Sequence, residues 1–80
     1  MPLDPLPDWV LARRRAIGYR IREAREYANL TQWTLGEAIG RDHKTIHRWE
    51  YALSDPSLTD LLLLADALDV PLTVLLASEE

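Results

Sequence analysis

The sequence predicts an all-α fold, a five-helix bundle. Three observations predict it. Apolar residues recur at spacings of three to five, the period of a helix face and not of a strand. Residues with N-cap chemistry, Asp8, Thr31, Asp42 and Ser57, stand before the periodic segments. Breakers separate those segments: Asn29, Gly40, Leu53-Ser54-Asp55-Pro56 and Asp69-Val70-Pro71. No convincing strand, repeat or low-complexity tract is present.

Pro2, Pro5 and Pro7 forbid a helix before about Asp8, so residues 1–8 read as a flexible, proline-rich N-terminus. Asp8 suits a helix start by capping and by charge. From there Trp9, Ala12, Ala16, Ile17, Ile21, Ala24 and Ala28 make an apolar stripe, on one long helix or on two broken near Gly18. Asn29 tolerates the left-handed conformation that ends a helix. Thr31 caps a second helix, Gln32 to Ile39, and Gly40 supplies the positive φ of a tight stop. Asp42 caps a third, reaching Trp49 or Tyr51. Ser57-Leu58-Thr59-Asp60 has the form of a capping box, with Asp in place of Glu. The fourth helix then turns Leu58, Leu61, Leu62, Leu64, Ala65 and Leu68 inward. Pro71 suits the first turn of a fifth, Leu72 to about Ala77. Residues 9–77 thus form one domain, and residues 78–80 a frayed tail.

Eighty residues hold one domain, near the lower size at which a single core is stable alone. The hydrophobic share of 48% is ample for such a core, and with no cysteine neither disulfides nor a thiolate zinc site assists it. No apolar run approaches the roughly 18–20 residues of a membrane span. The start is proline-rich and acidic, unlike a secretory signal. A cytoplasmic protein with no membrane association is expected. The net charge of −4 is unevenly spread. Residues 1–50 hold all nine Lys and Arg against seven Asp and Glu, whereas residues 51–80 hold six acidic residues and no basic one. One half is suited to face phosphate while the other stays away from it.

The segment Thr31 to Glu50 is the most informative. Two short helical patterns meet at Gly40, as in a helix-turn-helix, a unit that usually reads DNA. Gly36 costs about 1 kcal/mol against Ala inside a helix, which close approach of the third helix would justify. Leu35, Ile39, Ile46 and Trp49 seal the inner faces. His43, Lys44, His47 and Arg48 project away from Ile46, Trp49 and Glu50. That outer set suits a major groove: Lys and Arg donate to guanine O6 and N7, and Thr45 offers a methyl to thymine. The alternative is a solvated polar face, which the turn and the sealing apolar set make the weaker reading.

The chain resembles the phage-repressor and Cro-like, or XRE, helix-turn-helix domains from about Ile17 to Leu76. The resemblance rests on Ile17-Gly18-Tyr19-Arg20-Ile21-Arg22-Glu23-Ala24-Arg25, Leu30-Thr31-Gln32-Trp33-Thr34-Leu35-Gly36, Ile39-Gly40 and Thr45-Ile46-His47-Arg48-Trp49-Glu50. Pro56-Ser57-Leu58, the Leu-rich fourth helix and Val70-Pro71-Leu72 continue it. It implies a lambda-repressor-like five-helix bundle, a recognition helix from His43, and a homodimer on a palindromic double-stranded DNA operator. It places His43, Lys44 and Arg48 at bases, with Thr45 and His47 flanking. Gln32 corresponds to a phosphate-contacting glutamine, and Thr31, Trp33, Arg41 and Arg22 are further phosphate candidates. Arg25 and Glu50 correspond to an ion pair joining the first and third helices.

Three departures stand out. The loop Tyr51 to Asp55 is one residue shorter than the common form. It lacks the usual glycine and basic residues, and Leu63 replaces a usually polar residue. Leu63, Leu72 and Leu76 are therefore candidates for a dimer or protein-partner surface, an acidic interaction module or antitoxin being the competing function. His43 and His47 have metal-like spacing with Glu50, but no fourth ligand is evident, so neither metal nor cofactor is expected. Arg13-Arg14-Arg15, with Arg20 and Arg22, read either as a phosphate-facing arm or as solvation of the first helix. Trp9 and Trp49 read as core and Trp33 as half exposed. No nucleophile-base-orienter set exists, so an enzyme is not expected.

Overall fold

The computed structural model describes residues 5–77. Its elements are α1 (Asp8–Tyr27), α2 (Gln32–Ile39), α3 (His43–Glu50), α4 (Leu58–Leu68) and α5 (Leu72–Leu75). Most of the sequence boundaries hold. The tail at 78–80 and the first four residues lie outside the described residues.

The caps explain the boundaries. Thr31 accepts from the Thr34 backbone N–H at 3.0 Å while the Thr34 hydroxyl accepts from the Thr31 N–H at 2.9 Å. Ser57 and Asp60 repeat this reciprocal box, each bond 3.0 Å. Each box satisfies two donors that a helix start otherwise leaves orphaned. Asp8 is not a cap: Pro7 takes that position without a side-chain bond, and Asp8 lies in the first turn.

The other ends of α1 to α4 share one device. Asn29, Gly40, Ala52 and Asp69 adopt positive φ of 60°, 72°, 56° and 55°. The next residue's N–H then reaches back five residues. Leu30 bonds Arg25 at 3.1 Å, Arg41 bonds Gly36 at 2.8 Å, Leu53 bonds Arg48 at 2.8 Å and Val70 bonds Ala65 at 3.0 Å. These are Schellman closures, which satisfy the last carbonyls and reverse the chain. Ala52 takes the role that a glycine fills more easily.

The core is the cluster Ile21, Leu35, Ile39, Ile46, Trp49, Leu64, Ala65, Leu68 and Leu75. Ile21, Leu35, Ile46, Leu64 and Leu75 are fully buried, each worth roughly 1.5–3 kcal/mol of apolar burial. Helix α1 runs unbroken through Gly18. A Cβ there would sit 2.6 Å from the carbonyl oxygens of both Trp49 and Glu50, so Gly18 marks where α1 meets the end of α3.

Two inward assignments fail. Trp9 is 70% exposed and Ala12 is exposed, because the first turns of α1 run past the core, which begins near Ile17 and Ile21. Leu58 and Leu62 are 67% and 52% exposed. Helix α4 holds more leucines than one stripe can bury, and Leu61, Leu64, Ala65 and Leu68 fill that stripe. Helix α5 stops at Leu75 rather than near Ala77. Arg13 takes the carbonyls of Leu76 and Ala77 at 2.9 and 3.4 Å, and Arg20 bonds Ala77 at 3.2 Å. Among the described residues no helix is long and apolar enough to cross a membrane.

Candidate nucleic-acid interface

The α2–turn–α3 unit is held by two glycines with different tasks. Gly40 supplies the left-handed closure of α2. A Cβ on Gly36 would stand 2.5 Å from the Arg41 carbonyl oxygen. The small residue therefore admits the Arg41–Asp42 turn, a contact one step before the α3 approach expected from sequence. Asp42 then caps α3 by accepting from the Lys44 N–H at 2.8 Å. That bond, with the nearby charges of His43, Lys44 and Arg48, holds the Asp42 carboxyl below the usual range.

Helix α3 divides cleanly. Ile46, Trp49 and Glu50 are buried, whereas Lys44, His47 and Arg48 are exposed. His43 and Thr45 lie half-buried on the flanks. The His43 ring packs on Trp33 at 4.7 Å between centroids, and its Nδ1 lies 3.2 Å from Asp42 Oδ1. Trp33 is accordingly half exposed, at 58%. His47 packs on Tyr51 at 4.7 Å, and the Arg22 guanidinium lies 5.7 Å from the Tyr51 ring centre. Tyr51 was missed in the sequence. Its signal was its position four residues after His47 and seven after Lys44, on the same helix face.

Behind this face stands a buried polar junction. Arg25 donates to Glu50 through Nε at 2.7 Å and through Nη2 at 3.1 Å. Its Nη1 donates to the Leu30 carbonyl at 2.9 Å. Gln32 adds a bond to Glu50 Oε1 at 3.1 Å, so its side chain joins α2 to α1 and α3. Bonding to Glu50, ahead of opposing burial, raises the Arg25 pKa above its ordinary value. Gln32 and Trp33 open α2, where the first backbone N–H groups have no partner within the helix.

The basic residues fall into two groups. Arg41 is drawn to Asp60, with Nη2 at 2.7 Å and Nε at 3.1 Å from Oδ1, rather than standing free for phosphate. Burial alone would raise the Asp60 carboxyl. The Ser57 N–H and hydroxyl, together with Arg41, outweigh it and hold the carboxyl below the usual range. Arg13 and Arg20 hold the end of α5, and Arg14 pairs with Asp55 at 2.6 Å. The arginine-rich stretch of α1 therefore ties the fold together more than it forms an arm. Arg22 is 3.3 Å from Glu26. Among the described residues, only Arg15, Lys44 and Arg48 of the nine Lys and Arg make no side-chain hydrogen bond or ion pair. Two of these three are on the outer face of α3.

The candidate partner residues differ in exposure. Leu63 is exposed, but Leu72 and Leu76 are half-buried, and Leu72 packs on the core. The described residues contain no cluster of His and acidic side chains fit to hold a metal ion.

Comparison with known proteins agrees with this geometry. An uncharacterised HTH-type transcriptional regulator of Sinorhizobium fredii is 37% identical over 54 residues, covering 68% of this chain and 38% of that protein. The chain thus spans well under half the length of that relative. The P22 c2 repressor, solved with a synthetic operator, superposes with a TM-score of 0.71 and 33% identity over 76% of this chain and 92% of its own. The restriction-modification controller protein C.AhdI of Aeromonas hydrophila superposes with a TM-score of 0.77 and 34% identity, over 80% and 97%. Residues 16–77 match the helix-turn-helix domain, and the chain belongs to that family, with the lambda-repressor-like bundle as its fold.

Proposed function

We propose that this chain binds double-stranded DNA sequence-specifically, with α3 in the major groove, and acts as a transcriptional regulator of the repressor kind. The observation that carries the reading is the distribution of unengaged cations. Among the described residues six of the nine Lys and Arg side chains are engaged in hydrogen bonds or ion pairs, while those of Lys44 and Arg48 stand free on the outer face of α3. A folded domain that neutralises most of its cations and leaves two on a helix sized for a groove is built to meet guanine edges and phosphates. The P22 c2 repressor, with the same fold, was solved on an operator, which supports the reading.

Lys44 and Arg48 are the main base readers, with His47 beside them and His43 and Thr45 on the flanks. The outward amides at the start of α2, near Thr31, Gln32 and Trp33, hold one backbone phosphate. Residues 9–77 are the binding unit, and it acts by binding rather than catalysis, on the bacterial nucleoid in the cytoplasm. Two copies bind a palindrome with half-sites about 34 Å apart, one helical turn. Leu58, Leu62 and Leu63 on α4, with Val74, are exposed apolar side chains of the C-terminal part that offer a dimer contact.

Selection of duplexes from a random pool tests the proposal. Enrichment of one palindrome, lost in Lys44→Ala and Arg48→Ala variants of unchanged helicity, is the expected result. No enrichment even at low salt would overturn it.

A further inference from the structure

We infer that the groove between α1 and the C-terminal end of α3, built by Arg15, Tyr19 and Tyr51, is a second grip on a DNA backbone phosphate. The inference rests on the DNA-binding reading above. Arg15, Tyr19 and Arg22 follow one another at i, i+4 and i+7 and so share one face of α1. They line a single groove with Tyr51 and Glu50. Arg15 is the third unengaged cation. Tyr19 and Tyr51 are 51% and 49% exposed, and neither hydroxyl bonds another described residue.

The groove has the chemistry of an anion site. Glu50 is the acidic side chain in its wall, and both its oxygens are taken by Arg25 and Gln32. Arg22 brings a charge shared with Glu26, and its guanidinium leans over the Tyr51 ring. What remains facing outward is one free guanidinium and two phenolic donors, a set that suits a phosphodiester oxygen.

Its placement gives the grip a purpose. The groove lies at the end of α3 opposite the Trp33–His43 pair. Eight residues of helix span about 12 Å, close to the width of the major groove. A helix entering by one end leaves near the backbone at the other, where this groove sits. Arg15 stands immediately before the segment 16–77 that matches the family, and Tyr19 and Tyr51 lie within it.

The test uses the duplex selected by the wild-type protein, with Arg15→Ala and the double variant Tyr19→Phe, Tyr51→Phe. Helicity and melting midpoint are checked first, and these exposed substitutions should leave both unchanged. Arg15→Ala should weaken specific and non-specific duplexes by the same factor, roughly tenfold at moderate salt, and flatten the log–log salt slope by about 0.9. A methylphosphonate placed at one backbone position should then weaken the wild type but not Arg15→Ala. The double phenylalanine variant should show a smaller loss at that same position. If no single phosphate shows this non-additivity, or if the salt slope is unchanged, the grip is refuted while the DNA-binding reading stands. If the wild type selects no duplex, both fall together.

Discussion

Arg41 and Asp60 join the turn of the helix-turn-helix to the cap of α4: Arg41 Nη2 lies 2.7 Å from Asp60 Oδ1, while Asp60 Oδ2 accepts the Ser57 N–H at 3.0 Å. One carboxylate thus closes a helix start and anchors the segment that delivers α3.

This predicts an acid limb. The Asp60 pKa is lowered in the folded state, so its contribution is fully present above about 3.9, the unfolded value. It is lost as pH falls through the folded value. Asp60→Asn should lower stability near neutral pH by about 1–2 kcal/mol and flatten the fall of stability below pH about 4. Chemical denaturation from pH 2.5 to 7 measures both; parallel acid limbs would contradict the assignment.

Glu50→Ala should be among the most damaging polar substitutions. Glu50 is buried, and its removal leaves Arg25 confined without its bidentate partner. Breaking one side of such a pair costs about 3–5 kcal/mol, most of the stability of a domain this small. Lys44→Ala should leave the melting midpoint within about 2 °C of wild type, since the Lys44 side chain is exposed and the substitution keeps the backbone N–H that bonds Asp42.

Gly18→Ala and Gly40→Ala separate two reasons for glycine. At Gly18 the new methyl meets the Trp49 and Glu50 carbonyl oxygens, both backbone atoms, and α1 must move off α3. The expected cost is about 2–3 kcal/mol. At Gly40 nothing lies within 4 Å, and only the positive φ of 72° opposes the change, worth about 1 kcal/mol. Equal losses in thermal unfolding would refute the distinction.

Ala52→Gly should stabilise the protein. Ala52 holds φ of 56°, and releasing that strain offsets the added freedom of the unfolded chain. A gain of about 0.5 kcal/mol is expected, read as a higher midpoint in urea.

The helix boundaries were legible because their chemistry is local. Thr31, Asp42 and Ser57 announce starts, and Asn29, Gly40 and Asp69 announce ends, each through bonds within a few residues. Ala52 escaped notice because nothing in an alanine marks a left-handed turn. The leucines of α4 defeated the inside–outside reading, since a run from Leu61 to Leu64 occupies every side of a helix. The outer face of α3 was readable from Ile46 and Trp49, which fix what lies opposite. The partners of Arg13, Arg14, Arg20 and Arg41 were not readable, because their acceptors lie far along the chain and several are backbone carbonyls.

The four Schellman closures bear on how fast this chain finds its structure. Each reversal is closed by a hydrogen bond within six neighbouring residues. The search that remains is the collapse of short preformed hairpins of helix, with little entropy lost to long loops. Helical domains of such local topology fold in microseconds to milliseconds. The main refolding phase after dilution from urea should therefore be rapid.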